Sequence, residues 1–299
     1  MSKLVLIDGN AIMHRAYHAL PPLTTKDGDP INAVYGLTTM LLRIISDLKP
    51  THIAICFDRK EPTFRKKEFK AYQAHRPETE KELISQFSKA KDTVDSFGIP
   101  SYEKAGFEAD DLIGTITKKT EKKLDRIIIV TGDKDILQLV TKKTSVYLPK
   151  RGLSDAQLMN PKRVKEKLGV TPEQIIDYKA LVGDPSDNYP GVYGIGPKTA
   201  ESLLSDYGNY KTIYKNLNKI PETTRKKLKN GKSGGDTSFK LAKIVTNVSF
   251  KYDLAKMSKW EVGNQKTISL FESYGFKTLT GRIKVIAEEK ISKDQMKLV

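Results

Sequence analysis

Cysteine and histidine are scarce in this chain, with one and four copies respectively in 299 residues. Neither a disulfide framework nor a zinc site of Cys/His spacing can be assembled from so few. Cys56 itself stands inside the apolar run Ile53–Phe57, where a thiol is an ordinary small hydrophobe. Long hydrophobic runs are also missing. None approaches the ~20 residues that a membrane span requires, and the N-terminus enters a strand-like run at once, without a signal-peptide pattern. The cytoplasm is the expected location. Negative charge is in short supply too, since 36 Asp+Glu stand against 52 Lys+Arg, for a net charge of +16. Such a surface suits a polyanion.

The acids that are present gather in particular places. Asp8 closes Leu4-Val5-Leu6-Ile7, Asp58 closes Ile53-Ala54-Ile55-Cys56-Phe57, and Asp133 with Asp135 follows Ile127-Ile128-Ile129-Val130. Short β-branched runs of this kind read as parallel strands buried on both faces, and such sheets bind ligands outside the carboxyl ends of their strands. Strands at about 3–8, 51–58, 125–131 and 144–149 alternate with helical patterns, which predicts an α/β layered fold. A helix is expected over about 32–48, with Val34, Leu37, Leu41, Ile45 and Leu48 on one stripe and Pro50 just beyond it. From about 161 the texture changes to short helices, with a strand expected at most near Lys251-Tyr252. Asn230-Gly231-Lys232-Ser233-Gly234-Gly235 reads as a flexible connection, and the C-terminal end as a polar tail.

Three strand ends thus aim carboxylates at one crevice, and Glu108-Ala109-Asp110-Asp111 and Asp184-Pro185-Ser186-Asp187 are placed to join them. Any one of these acids is explained as a turn residue or as a complement to a helix N-terminus. Together they repel one another and need cations to stay ionised. Hard oxygen donors from separate elements suit Mg²⁺. Two divalent ions about 3.5–4 Å apart can activate a water and stabilise a leaving oxygen in phosphodiester hydrolysis. Glu108 and Asp111, three apart at a helix start, share nearly one face, whereas Asp110 points elsewhere.

Basic residues cluster as well. After Arg59 come Lys60, Phe64, Arg65, Lys66, Lys67, Phe69, Lys70, Tyr72, His75 and Arg76, with no apolar stripe suited to a core. A solvated basic helix has the same composition. Cations interleaved with aromatics, however, suit single-stranded nucleic acid, and the segment starts at the mouth of the acid crevice. Further along, Gly191-Val192-Tyr193-Gly194-Ile195-Gly196-Pro197-Lys198-Thr199-Ala200 reads as a glycine hairpin entering a helix. Backbone N–H groups at Gly194 and Gly196, with Lys198 and Thr199, can approach a phosphate there without reading a base. A plain interhelical turn is the simpler alternative.

Seven segments in order carry a resemblance: Leu6-Ile7-Asp8-Gly9, Tyr17-His18-Ala19, Phe57-Asp58, Gly106 to Asp111, Thr131 to Asp135, Gly183 to Asn188 and Gly194 to Ala200. From Leu4 to about Phe276 the chain resembles the 5′-nuclease domains of bacterial DNA polymerase I, within the flap endonuclease family. That resemblance implies a PIN-like α/β core over 1–160, a mostly parallel sheet flanked by helices, with a helical arch at about 59–83. It implies a helical DNA-binding subdomain over 161–299, with a helix–hairpin–helix (H3TH) element at about 172–208 and a polar tail. The implied activity is 5′→3′ exonuclease and 5′-flap endonuclease action on DNA in replication and repair, leaving a 5′-phosphate and a 3′-hydroxyl.

Carried over position by position, Asp8, Asp58, Glu108, Asp110 and Asp111 match ligands of a first Mg²⁺, and Asp133, Asp135, Asp184 and Asp187 those of a second. Mn²⁺ is expected to substitute, and a monovalent cation is expected at the hairpin. Arg15, Tyr72 and Arg76 match positions that contact substrate phosphate and strand, and Lys66 and Lys67 extend that surface. One position departs from the pattern. The family's arch motif usually follows this tyrosine with a lysine, where this chain has Gln73; Lys70, one turn earlier, is the expected substitute for its charge. A monomer working beside a polymerase and a ligase is implied. No polymerase or proofreading segment follows within the 299 residues, so a stand-alone nuclease or an excised domain is expected.

Two other classes fit less well. A phosphatase of the haloacid-dehalogenase type needs a second Asp two residues after the first, where this chain has Asn10. A non-catalytic duplex-binding module has no use for an acid crevice beside a polyanion.

Overall fold

The computed structural model describes residues 1–148 and 156–295, with side chains up to 288. The last residue of the expected strand 144–149 and most of the expected polar tail therefore lie outside the described side chains. Among the described residues, β1 (Lys3–Asp8), β2 (His52–Cys56), β3 (Ser101–Tyr102), β4 (Arg126–Val130), β5 (Thr144–Leu148) and β6 (Gln157–Met159) form one sheet in the order β3-β2-β1-β4-β5-β6. Every neighbouring pair is parallel except β5 with β6.

The alternation of strand side chains decides what packs on either face. Val5, Ile7, Ile53, Ile55, Ile128 and Val130 share one core with α1 (Gly9–Ala19), α2 (Asn32–Leu48) and, beyond the short α3 (Phe64–Glu68), α4 (Lys81–Ser96). Leu4, Leu6, Ala54, Cys56, Ile127 and Ile129 share the other with α5 (Ala109–Thr120) and the helical stretch 164–228, whereas Phe271, Phe276, Leu279 and Ile283 nearer the C-terminus join the first core. Both faces are covered, so the strands are continuously apolar, as the sequence pattern requires. Helix α2 buries Val34, Leu37, Leu41 and Ile45, and ends where Lys49 turns left-handed (φ 45°) and donates its N–H to the Ile45 carbonyl, just before Pro50.

The chain runs outward from β1 to β2 and β3, then crosses to β4 on the other side of β1. That reversal opens a crevice beyond the carboxyl ends of β1 and β4, where open α/β sheets place their ligands. Asp8, the last residue of β1, and Thr131 to Asp135, after β4, stand at its edges.

The remaining helices are α6 (Pro161–Leu168), α7 (Ile175–Val182), α8 (Pro197–Tyr207), α9 (Tyr210–Lys215), α10 (Glu222–Asn230), α11 (Lys232–Ala242), α12 (Gln265–Ser273) and α13 (Lys277–Gln295). Two expectations fail here. Lys251 and Tyr252 are not in a strand. The expected flexible connection at 230–235 is instead the end of α10 and the first turn of α11. Its glycines serve close approach rather than flexibility. A Cβ at Gly234 would lie 2.5 Å from the Gly191 carbonyl oxygen, and one at Gly235 would lie 2.3 Å from the Tyr210 hydroxyl, so only glycine lets α11 press this closely against the hairpin.

Candidate active site

A crevice of about 800 Å³ collects Asp8, Asp58, Glu108, Asp110, Asp133, Asp135 and Asp187 in its lining, together with Arg65, Lys66, Tyr72, Gln73 and Arg76. Local hydrogen bonds fix the acids. Asp8 caps α1 by accepting the Ala11 N–H at 2.9 Å, and its other oxygen accepts the Thr131 hydroxyl at 2.7 Å. Asp58 accepts the Ala109 N–H at 2.7 Å, and its own N–H donates to Asn10 at 3.0 Å. Asp133 accepts the Asp135 N–H at 2.7 Å.

Burial outweighs these bonds. Chiefly through loss of water, and then through neighbouring charge, the carboxyls of Asp8 and Asp58 are pushed up to about 6. Glu108 is pushed up to about 7 by burial, although Arg65 opposes this. Asp110 is the extreme case: burial and then the charges of Asp133, Asp8, Asp58 and Glu108 all act on it in the same direction, raising it well above the carboxylate range. All these donors are hard oxygens of the kind that hold Mg²⁺ or a similar divalent ion. Among the described residues no three acidic, His or Cys side chains already converge as a closed metal cage. Protein cations are paired with several of the acids instead.

Arg65 is the first of these cations. Its guanidinium makes two 2.8 Å bonds to Asp111 and one of 3.0 Å to Glu108, and it also donates to the Leu241 and Lys243 carbonyls. Asp111 further accepts the N–H groups of Glu108 and Val245. Four donors thus occupy its two oxygens, and no oxygen remains turned to the crevice. Glu108 and Asp111 do share the start of α5, as their spacing requires, and they form a capping box there.

Lys179, on α7, is the second. Its ammonium lies between Asp135 and Asp184 and is paired with both. Burial pushes Asp135 up to about 7 against the pull of this lysine. At Asp184, Lys179 together with Ser186 overcomes burial to bring it below the usual range. Sequence reasoning passed over Lys179 and gave Thr131 no role beyond its motif. Lys179 had one available signal, a lysine one helical turn before Gly183-Asp184.

The basic segment does not place its aromatics in solvent. Tyr72 is 3% exposed, packed with Tyr189, Leu241, Ala242 and Phe69, and its hydroxyl donates to Asp187 at 3.1 Å and Glu108 at 3.3 Å. Phe64 packs against Phe107 under the Arg65 guanidinium. The expected apolar-free face is therefore a small core with Arg65 buried beside it and Lys66, Lys67 and Lys70 exposed. The stretch 59–83 contributes one short helix, α3, then turns, and runs into the start of α4 at Lys81. It is tied to Asp187 by Arg76 at 2.5 Å, by Gln73 Nε2 at 3.2 Å and by the Gln73 N–H on the Asp187 carbonyl at 2.9 Å. Lys66 lines the crevice while donating to the Tyr72 carbonyl. Lys67 and Lys70 are exposed and lie outside that lining. Arg15 lies beside Gly132 at the rim.

The hairpin follows Asp184 and Asp187 in the chain. Gly183 (φ 74°) and Gly191 (φ 65°) are both left-handed and back onto each other so closely that a Cβ on Gly191 would meet the Gly183 nitrogen at 2.2 Å. Val192 and Ile195 are buried as anchors, while Gly194, Gly196 and Lys198 are exposed and Thr199 is half-buried at the N-terminus of α8. A helix start flanked by lysine and glycine is an anion-binding arrangement.

Known proteins share this plan. The model of the 5′-3′ exonuclease N-terminal resolvase-like domain matches residues 3–169, and that of the 5′-3′ exonuclease C-terminal SAM fold matches 170–281. The chain belongs to the 5′-3′ exonuclease family. Membership makes it a nuclease. DNA polymerase I of Bacillus subtilis is 39% identical over 282 residues, 94% of this chain but 32% of that protein. The thermostable DNA polymerase I of Thermus thermophilus is 38% identical over 255 residues, 85% of this chain and 30% of that one. The chain thus spans about a third of the length of these curated relatives. In fold it is similar to the bacteriophage T5 flap endonuclease solved with DNA and metal ions, with a TM-score of 0.68 at 20% identity, covering 96% of this chain and 99% of that one. Human GEN1 in complex with Holliday junction DNA gives a TM-score of 0.58 at 14% identity, covering 96% of this chain and 68% of that one.

Proposed function

We propose that this family member is a structure-specific 5′ nuclease that cleaves DNA at 5′ ends and flaps with two Mg²⁺ ions, leaving a 5′-phosphate and a 3′-hydroxyl. Asp110 carries the proposal. Enclosed among Asp133, Asp8, Asp58 and Glu108, it represents a concentration of like charge that a bound cation relieves and a plain fold does not need. Asp8, Asp58, Glu108 and Asp110 would hold one ion, and Asp133, Asp135, Asp184 and Asp187 the other. Asp111, with both oxygens taken, acts by orienting Arg65 and Glu108. When bound, the ions supply Lewis-acid activation of water and stabilisation of the leaving oxygen.

The chain's own side chains bind and orient the strand. Arg76 and Arg15 at the crevice, with Lys66 and Lys67 along the 59–83 segment, meet substrate phosphates. Gly194, Gly196, Lys198 and Thr199, with a monovalent cation at the hairpin, hold the duplex through its backbone. Residues 1–160 act as the nuclease core and 161–299 as the duplex-binding subdomain. The same reading makes the protein a cytoplasmic monomer of replication and repair, working beside a polymerase and a ligase, with Mn²⁺ able to replace Mg²⁺. Among the described residues no helix is long and apolar enough to cross a membrane.

A labelled 5′-flap duplex incubated with protein and Mg²⁺ tests the proposal. The expected products are a released flap and a 5′-phosphorylated duplex. Asp110→Asn should abolish release while still binding the same DNA in Ca²⁺, and robust cleavage by that variant would sink the assignment.

A further inference from the structure

Tyr193 is 92% exposed, whereas among the described residues every other Phe, Tyr and Trp is buried or half-buried. Its place on the hairpin is fixed. The Ile195 N–H donates to the Val192 carbonyl at 3.0 Å and closes a turn with Tyr193 and Gly194 at its centre. Gly194 (φ 79°) supplies the positive φ that the third residue of a type II turn requires. The base of the turn is anchored by the Val192 N–H on the Leu181 carbonyl at 2.8 Å and by the Gly191 N–H on the Ser238 hydroxyl at 2.9 Å. A ring held out on so firm a turn has little freedom left to lose on binding.

Cations flank the ring. Lys198 is exposed in the first turn of α8. From α10, the Lys227 ammonium donates to the Gly194 carbonyl at 3.2 Å, and its stem lies 3.2 Å from where a Cβ on Gly194 would stand. Neighbouring lysines are neutralised by carboxylates, Lys226 by Glu222 and Lys232 by Asp236. Lys227 is exposed and has no carboxylate partner among the described residues, so its charge and two of its three donors remain for a partner outside the chain. An apolar ring between two cations matches a nucleic-acid backbone, where sugars alternate with phosphates.

Resting on the duplex-binding reading of the hairpin, we propose that Tyr193 and Lys227 form a further contact with the DNA duplex, the ring packing on a deoxyribose and the ammonium holding the neighbouring phosphate. Helix α10 thereby extends the grip beyond the helix–hairpin–helix at 172–208. The two contacts differ in one measurable respect. A lysine on a phosphate displaces counterions, so its share of the binding falls with salt, and a ring on a sugar displaces none.

Anisotropy of a labelled 5′-flap duplex in Ca²⁺, titrated with the full chain at several KCl concentrations, reads both. Tyr193→Ala should bind about tenfold more weakly at every KCl concentration, as expected for ~55 Å² of ring surface no longer taken from water. Its slope of log K against log[KCl] should equal that of wild type. Lys227→Met, which keeps most of the stem, should bind more weakly with that slope reduced by about one. Tyr193→Ala isotherms that coincide with wild type overturn the proposal and leave the hairpin reading standing. A Tyr193→Ala loss that comes with a reduced slope also overturns it, because the ring would then act only by placing cations. So does a Lys227→Met slope equal to wild type. A wild type that binds no duplex overturns this contact and the hairpin reading together.

Discussion

Arg65 and Asp111 form a two-pronged ion pair, 2.8 Å on either prong, with 3% and 0% of their side chains exposed. Removing one partner from such a pair leaves a buried uncompensated charge, at about 3–5 kcal/mol. Asp111→Ala should therefore lower stability by about that amount in urea unfolding. Folded Asp111→Ala should lose no more Mn²⁺ affinity in calorimetry than the about 10–100-fold expected for a partner that orients a ligand. A variant of normal stability with lost metal affinity would instead return Asp111 to the ligands.

On the proposed two-ion reading, Lys179 and a divalent ion compete for the same two carboxylates. In the metal-free protein the lysine offsets the repulsion between Asp135 and Asp184, which it contacts together. Lys179→Met should accordingly lower the Tm in EDTA, and Mg²⁺ should restore more of the loss than it adds to wild type. Mn²⁺ should bind this variant more tightly, which calorimetry reads directly. Weaker binding would mean that the ammonium supports the loaded site instead of occupying it.

Much of this site can be read from one-dimensional pattern, because strand-end acids follow apolar runs and the sheet topology brings those ends together. Asp8, Asp58, Asp133 and Asp135 are placed by that rule, and Glu108 with Asp110 by their helix start. What the pattern conceals is which acid a protein cation has already taken. Arg65 sits in a run of basic residues that composition alone assigns to solvent, yet it reaches across to the Leu241 and Lys243 carbonyls and to Asp111. Tyr72 was concealed for the same reason, since its burial depends on Tyr189 and Leu241, far away in sequence. Gly234 and Gly235 mislead in the opposite sense. A glycine pair signals flexibility locally, and only the packing partner shows that it signals contact.

The raised carboxyls make stability depend on pH in a particular direction. Asp8 and Asp58 stand at about 6, and Glu108 and Asp135 at about 7, above unfolded values of about 3.9 and 4.3. The folded protein thus holds more protons than the unfolded chain between about pH 4 and 7, and its stability falls as pH rises through that window. A carboxyl that stays protonated for one pH unit longer in the fold than in the unfolded chain contributes about 1.4 kcal/mol to that fall. Asp184 runs the other way, losing stability only as the pH falls below the usual carboxylate range. In EDTA the Tm should drop by several degrees between pH 5 and 7.5. With Mg²⁺ it should hold level or rise, because the ions favour the ionised acids. A flat profile in EDTA would show that these acids are not strained by their enclosure.

Gln73 joins the basic segment to the second group of acids, and the position tolerates little choice of backbone. Its φ is 54°, in the left-handed region, and its N–H donates to the Asp187 carbonyl at 2.9 Å. Its side-chain amide reaches Asp187 Oδ1 at 3.2 Å, the same oxygen that Arg76 contacts at 2.5 Å. A lysine here keeps the backbone bond and exchanges a neutral donor for a charged one, which is roughly twice as strong toward a carboxylate or a phosphate. Facing Asp187 it would reinforce Arg76, and facing a bound strand it would add a cation next to the scissile region. Gln73→Lys should therefore leave the single-turnover cleavage rate on a 5′-flap unchanged or raise it, with Tm in EDTA within about 2 °C of wild type, the size expected for a change under 1 kcal/mol in a chain of this length. A steep loss of rate at unchanged Tm would show that the amide itself orients the strand, a task a lysine cannot perform because it donates but does not accept.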